Sequence, residues 1–256
     1  MLKLISTQIR VIHALALREI QSQQANLAYG FGWVFFDAFL GFASLMIMKF
    51  AIRGFNRPGV PPVTFLVSGL IPWMMFQSTY HLPGGAIKRG KNLLQLPMVT
   101  ELDLVLASAL RIFLVYAVLF VALGVVGAIA DGIPPPRFPL GIMLLFFSMS
   151  LMGIAFGFLL MAVTRLYSPA GKFVGFFLRF AMIISGVIFQ LTMFPPYVWR
   201  YLLWNPLLHC EELLRGYWFY NYETPLVSPL YVAECLLGMA FFGLLLERYL
   251  RRRLLR

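Results

Sequence analysis

Long apolar stretches, interrupted at short intervals by clusters of charge, set the pattern of this chain. A helix that crosses the hydrocarbon of a bilayer needs about 20 mostly apolar residues. Six windows meet that requirement: Trp33–Ile52, Val63–Leu82, Leu104–Ala130, Pro139–Val163, Phe173–Phe194 and Ser228–Leu246. The fourth has no charge from Phe138 to Thr164, whereas Glu234 interrupts the sixth. Ahead of the first window, Leu2, Ile5, Ile9, Ile12, Ala16 and Ile20 recur at spacings of three and four, with Lys3, Thr7, Arg10, Gln21 and Gln24 on the other side. That periodicity predicts an amphipathic helix along the membrane surface, turning inward near Gly30 and Gly32. A solvated helix packed on a partner domain would show the same pattern.

The expected architecture is an all-α membrane protein. An interface helix occupies residues 1–32, a six-helix transmembrane domain 33–247 and a basic tail 248–256. Between the fifth and sixth windows, residues 195–225 carry Tyr197, Trp199, Tyr201, Trp204, Tyr217, Trp218, Phe219, Tyr220 and Tyr222. Such rings favour the membrane interface, and the length allows a re-entrant helical hairpin at the outer face. Composition agrees: 61% of the 256 residues are hydrophobic and 12% charged, against about 45–50% and about 25% in soluble domains.

The net charge of +11 would suggest nucleic acid in a soluble protein; here the cations sit between spans, so no nucleic-acid partner is expected. With six spans, one face collects Lys3, Arg10, Arg18, Lys88, Arg89, Lys91, Arg165, Lys172, Arg248, Arg251, Arg252, Arg253 and Arg256. The other holds Arg53, Arg57, Arg137, Arg200 and Arg215. By the positive-inside rule both termini are cytoplasmic. Lys3 and Arg10 ahead of Val11–Leu17 imitate a secretory leader, but no small-residue cleavage site follows, and the segment is expected to be retained.

Catalytic chemistry is poorly represented. Gly85-Ala-Ile-Lys-Arg-Gly90-Lys91-Asn92 approaches a phosphate-cradling loop, but Asn92 lacks the hydroxyl that would hold Mg²⁺, and a membrane helix precedes it where a strand is needed. His13, His81 and His209 are far apart, and Cys210 and Cys235 have no metal or disulfide spacing. No catalytic residue and no metal site are expected. Glu211-Glu212 is the only adjacent acidic pair. Lys49, Arg111 and Arg179 fall inside windows, where a charge at mid-bilayer costs about 2.5–3.5 kcal/mol. They either face a conduit for an anionic substrate, or snorkel to headgroups, or pair with Asp37. Pro72 removes a helical hydrogen bond from the second span, and Gly153-Ile-Ala-Phe-Gly157 marks a face for close helix packing.

Three segments carry a resemblance. Leu17-Arg18-Glu19-Ile20, Phe65-Leu66-Val67-Ser68-Gly69-Leu70-Ile71-Pro72, and Tyr201-Leu202-Leu203-Trp204-Asn205-Pro206-Leu207-Leu208-His209 followed by Glu212 and Arg215 resemble the ABC-2 permeases that export polysaccharides. The likeness is above all to the inner-membrane permease of group 2 capsular polysaccharide exporters. The resemblance implies a homodimer with two separate ATP-binding subunits, which bind ATP and Mg²⁺, so this chain needs no cofactor. It implies a channel between protomers for a lipid-linked polymer, a periplasm-spanning export partner and a bacterial inner-membrane location.

On that resemblance, Arg18, Glu19, Lys88, Arg89 and Lys91 would couple to the ATPase, and His209, Glu212 and Arg215 would belong to an outer gate. Arg111, Arg179, Lys49, Trp199, Tyr201 and Trp204 are the candidate channel residues: rings for stacking on sugar C–H faces, cations for acidic sugars or a lipid phosphate. Rival substrates are O-antigen, teichoic acid or a lipophilic drug; rival classes are a membrane scaffold or a lipid-modifying enzyme.

Overall fold

The computed structural model describes residues 10–16, 36, 39–44, 47, 61–95, 99–167, 169–222, 224 and 226–254, with the side chains of 88 and 250–254 excepted. Residues 10–16 are helical; the remainder of the predicted interface helix and most of the first window lie outside the described residues. From residue 61 onward the chain forms α1 (Pro62–Tyr80), α2 (Leu82–Arg89), α3 (Glu101–Asp131), α4 (Pro139–Leu166), α5 (Ala170–Ile184), α6 (Pro196–Leu202), α7 (Pro206–Trp218) and α8 (Pro229–Leu254). Two 3₁₀ turns, Leu93–Gln95 and Leu191–Met193, complete the order. Among the described residues there is no strand.

Among the described residues three helices are long and apolar enough to cross a membrane: α3, α4 and the Pro229–Tyr249 part of α8. Local chemistry fixes their ends. Thr100 and Asp103 form a reciprocal capping box at the start of α3, and Gly132 closes its end in the left-handed conformation at φ 64°. Pro139 opens α4 at a position where a missing N–H costs nothing. The helix α8 continues as far as Leu254, so most of the predicted basic tail is helical.

The second window behaves differently from its neighbours. Helix α1 is buried along almost its whole length, from Thr64 through Tyr80, and packs against α3, α4 and α7. It is therefore solvated by protein. Pro72 sits inside it, leaving the Ser68 carbonyl without its helical donor. Its first free N–H groups are taken by a side chain from α3: Asp131 accepts from Val63 N at 3.3 Å and from Thr64 N at 2.7 Å. A carboxylate at a helix N-terminus is favoured by both hydrogen bonding and the helix dipole.

Glycines set how closely α4 approaches its neighbours. A Cβ at Gly153 would overlap Thr79 Oγ1 and the Phe76 carbonyl, and one at Gly157 would overlap the Tyr80 carbonyl and the Pro83 ring. The Gly153–Gly157 face thus lies directly on the last turn of α1, the close approach that small residues permit. Around it Phe76, Tyr80 and Phe156 pack ring to ring. Farther along, Gly124 of α3 accommodates the Trp218 ring.

At one end of the bundle α2 packs against the start of α3 and the end of α4, and Arg165 faces Glu101 at 3.9 Å; Arg89 and Lys91 are exposed there. Opposite, the connection after α3 is tied to α7 by Phe138 N donating to the Tyr217 carbonyl at 3.0 Å. The Gly85–Arg89 segment lies within α2, so the near-match to a phosphate loop lacks the strand–loop–helix geometry.

The fifth window is broken. Helix α5 stops at Ile184, Gly186 turns the chain at φ 81°, and the segment after it runs non-helically through the core. Val187 and Ile188 are buried there. A length-and-hydropathy criterion misses this break, because Val187, Ile188 and Phe189 are as apolar as the helix before them.

Replacing Gly157 by Val is expected to cost about 1–3 kcal/mol through overpacking, read as a lower melting temperature of the detergent-solubilised protein. The same change at Gly175, where a Cβ would meet open space, is expected to leave the melting temperature within experimental error.

Candidate functional site

The best-defined polar constellation surrounds α7. Asn205 caps this helix by accepting from Leu207 N at 3.0 Å, and its amide donates to Ser185 Oγ at 2.8 Å, joining α7 to the end of α5. Pro206 follows at the first helical position. From that start, one face of α7 carries Glu212 and Arg215 into the protein, at 1% and 0% exposure.

Arg215 meets the broken segment after α5. Its Nη1 donates to the Gly186 carbonyl at 2.6 Å and to that of Phe189 at 3.3 Å, while Nη2 donates to the Val187 carbonyl at 2.9 Å. These are backbone acceptors that a continuous helix would have satisfied internally, and away from water they need a donor. The guanidinium carbon lies 3.7 Å from the centroid of the Phe65 ring, in cation–π contact. Glu212 neutralises Arg215 at 3.7 Å, accepts from Leu191 N at 3.1 Å, and accepts from the Tyr222 hydroxyl at 3.0 Å.

Gly69 of α1 completes the arrangement. A Cβ there would stand 2.5 Å from Arg215 Nη2 and 2.6 Å from the Val187 carbonyl. The glycine within Phe65–Pro72 leaves the space that the guanidinium and the broken strand of backbone share.

His209 faces elsewhere. Its Nδ1 accepts from Ser228 N at 3.1 Å, so Nε2 carries the proton and donates to the Leu203 carbonyl at 2.9 Å. The neutral imidazole bridges the turn before α7 to the start of α8. Burial also holds its pKa below the ordinary histidine value, the Leu203 carbonyl opposing in part.

The other predicted residues spread over the molecule. Trp199 is half-buried and donates from Nε1 to the Phe194 carbonyl at 2.8 Å. Tyr201 and Trp204 are 65% and 81% exposed, with Arg200 stacked on the Tyr201 ring at 4.7 Å. Arg111 is half-buried on α3 and Arg179 exposed on α5. Arg89 and Lys91 are exposed at the basic end; Lys88 lies in α2 without a described side chain. Lys49, Arg18, Glu19 and Asp37 lie outside the described residues. Among the described residues no cluster of His, Cys, Asp or Glu could hold a metal ion.

Sequence reasoning missed Gly69, Asn205, Ser185 and Tyr222 as parts of this constellation. A Ser-Gly pair marks the break at Ser185-Gly186, but the same pair at Ser68-Gly69 sits inside continuous helix α1, so the pair alone does not distinguish the two. Nothing local marks Tyr222 or Gly69. Glu211, the other half of the adjacent acidic pair, is fully buried beside Cys210, and neither carboxyl oxygen has a hydrogen-bond partner among the described residues.

Residues 10–219 match the ABC-2 type transporter family. The chain belongs to this family. Among curated members, the ABC-2 protein described here is 28% identical to the polysialic acid transport protein KpsM of Escherichia coli, over 93% of this chain and 92% of that one. It is 28% identical to the capsule polysaccharide export inner-membrane protein CtrC of Neisseria meningitidis serogroup B, over 94% and 91%. It is 26% identical to the capsule polysaccharide export inner-membrane protein BexB of Haemophilus influenzae, over 95% and 92%. The apolar helices and the naming of these relatives agree on a multi-pass ABC-2 membrane protein.

Arg215→Met is expected to lower stability by about 3–5 kcal/mol, since it leaves buried carbonyls unsatisfied and Glu212 uncompensated. Arg215→Lys should recover only part of this, because one ammonium lacks the planar fork that reaches several acceptors. Thermal melts of the three proteins in detergent check the order wild type, Lys, Met.

Glu211→Gln should leave the melting temperature within about 2 °C, since no hydrogen bond is lost. Glu212→Gln, which turns an amide donor toward either Leu191 N or the Tyr222 hydroxyl, should lower it by several degrees. Equal effects at the two positions would refute the assignment of partners.

Proposed function

We propose that this chain is the permease subunit of an ABC exporter that carries a lipid-linked, anionic, capsular-type polysaccharide across the bacterial inner membrane. The observation that carries the reading is similarity over more than nine-tenths of both chains to relatives named for polysialic acid transport and capsule polysaccharide export. In this reading the chain makes six spans with both termini cytoplasmic, and two copies enclose the channel. Two separate ATP-binding subunits hold ATP and Mg²⁺ and supply hydrolysis, and a periplasm-spanning export protein receives the polymer.

Within that assembly the described helices take definite roles. The basic end, with Lys88, Arg89 and Lys91, together with Arg18 and Glu19, receives force from the ATP-binding subunits. Arg111, Arg179 and Lys49 hold acidic groups of the passing polymer by charge-assisted contacts. Exposed Tyr201 and Trp204, with Trp199 fixed on Phe194, offer ring faces on which sugar C–H groups slide. Helices α6 and α7 form the outer gate, with His209, Glu212 and Arg215 holding α7 to the elements it must move with.

The test is co-expression with the genomically neighbouring ATP-binding protein, mild solubilisation and ATPase assay with lipid-linked polymer. The expected result is a stable complex with two copies of each chain, whose ATPase rate rises with acidic glycolipid. Arg179→Ala should reduce that stimulation roughly tenfold while leaving complex assembly unchanged, the loss of a charge-assisted contact. Failure of any ATP-binding subunit to associate would overturn the export reading.

A further inference from the structure

Where α1 gives way to α2, the chain stands off from the last turns of α4 and leaves a cavity of 450 Å³ at the basic end of the bundle. Its lining divides into two chemistries. Tyr80, His81 and Arg165 present a hydroxyl, an imidazole and a guanidinium; Ile87, Leu160 and Met161 present hydrocarbon. The Thr164 hydroxyl is already committed, donating to the Met161 carbonyl at 3.0 Å.

Tyr80 is the residue that points to a ligand. It is only 5% exposed, and among the described residues its hydroxyl has no hydrogen-bond partner. Other phenols of this protein do find one: Tyr116 meets Ser78 at 2.9 Å, Tyr222 meets Glu212 at 3.0 Å and Tyr231 meets the Trp204 carbonyl at 2.9 Å. The ring is buried while the hydroxyl opens onto the cavity, where it is free to donate to a bound acceptor.

Arg165 adds charge to the same space. Its carboxylate partner, Glu101, lies 3.9 Å away, beyond the about 2.7–2.9 Å of a charge-assisted hydrogen bond, so the guanidinium fork is not saturated. Exposed Arg89 and Lys91 stand at the same end of the bundle. Three donors, one permanently cationic, beside a hydrocarbon wall at the end of membrane-length helices suit a particular ligand. That ligand is an anionic phosphate bearing an alkyl chain.

We propose that this cavity binds the phosphodiester of a lipid, held by the Tyr80 hydroxyl, the His81 ring and the Arg165 guanidinium, with the first methylenes against Ile87, Leu160 and Met161. Resting on the export reading, it is where the lipid anchor of the substrate first meets the permease; the same chemistry also fits a bulk anionic phospholipid.

The full-length protein, purified in detergent, is titrated with phosphatidylglycerol and, as a control with the same chains and no phosphate, diacylglycerol. Retention is read by native mass spectrometry. Wild type should retain phosphatidylglycerol in preference to diacylglycerol, and Arg165→Gln and Tyr80→Phe should each lose roughly tenfold in retention. Tyr80→Phe sacrifices no described protein hydrogen bond and should melt with the wild type, so its loss reports on the ligand rather than on folding.

Displacement of phosphatidylglycerol by lipid-linked polymer in wild type supports the substrate anchor as occupant. Lack of displacement, with retention still sensitive to both variants, supports the same phosphate site filled by bulk lipid. Equal retention by wild type and both variants overturns the proposal. The binding is read without ATPase or transport, so its failure and a failure of the export reading are separately visible.

Discussion

One guanidinium holds this bundle together at its least regular point. The chain abandons helical structure at Ser185 and Gly186 and continues through the core with carbonyls that no helix satisfies. Arg215 supplies donors to the carbonyls of Gly186, Val187 and Phe189. In a dry interior such acceptors would each carry a desolvation penalty, and an unpaired guanidinium would carry a larger one. Brought together, with Glu212 beside the charge and the Phe65 ring beneath it, they offset one another. Gly69 is required because any side chain there would occupy the same space.

The same logic extends outward. Glu212 does more than neutralise Arg215: it accepts from Leu191 N and from the Tyr222 hydroxyl, so both sides of α7 are fixed through one carboxylate. His209 fixes the helix start to Ser228 and Leu203, and Asn205 fixes it to Ser185. A short helix of 13 residues would be marginal alone. Here it is tied to the end of α5, the start of α8 and the centre of α1.

Apolar packing supplies the rest of the rigidity. Helix α1 sits at the centre, and α4 reaches it through Gly153 and Gly157 with backbone almost on backbone. By contrast α8 turns large side chains such as Leu237, Phe241 and Phe242 outward, and α5 does the same with Phe173, Phe176 and Phe177. Where water is the solvent these would be liabilities; in an inner-membrane ABC-2 protein they are surfaces suited to lipid.

By itself the sequence determined what depends on local composition. Apolar length fixed α3, α4 and most of α8, because long stretches dominated by apolar residues must be taken out of water, and a helix satisfies their backbone internally. Spacing fixed the Gly153–Gly157 contact, and the segment from Tyr201 to Arg215 carried the family. Glu212 and Arg215, three residues apart, fall on one helix face by spacing alone, whereas His209 turns away from them to Leu203 and Ser228.

Tertiary structure decided whatever depended on which surface meets which. Apolar windows do not report whether lipid or protein surrounds them, so α1 read like its neighbours although it is enclosed by α3, α4 and α7. Hydropathy is equally blind to backbone hydrogen bonding, so the fifth window read as one helix although it breaks at Gly186. That break is stable only because Arg215, 29 residues further along the chain, arrives to satisfy it, and no local pattern encodes an interaction whose two halves meet only after the bundle has closed.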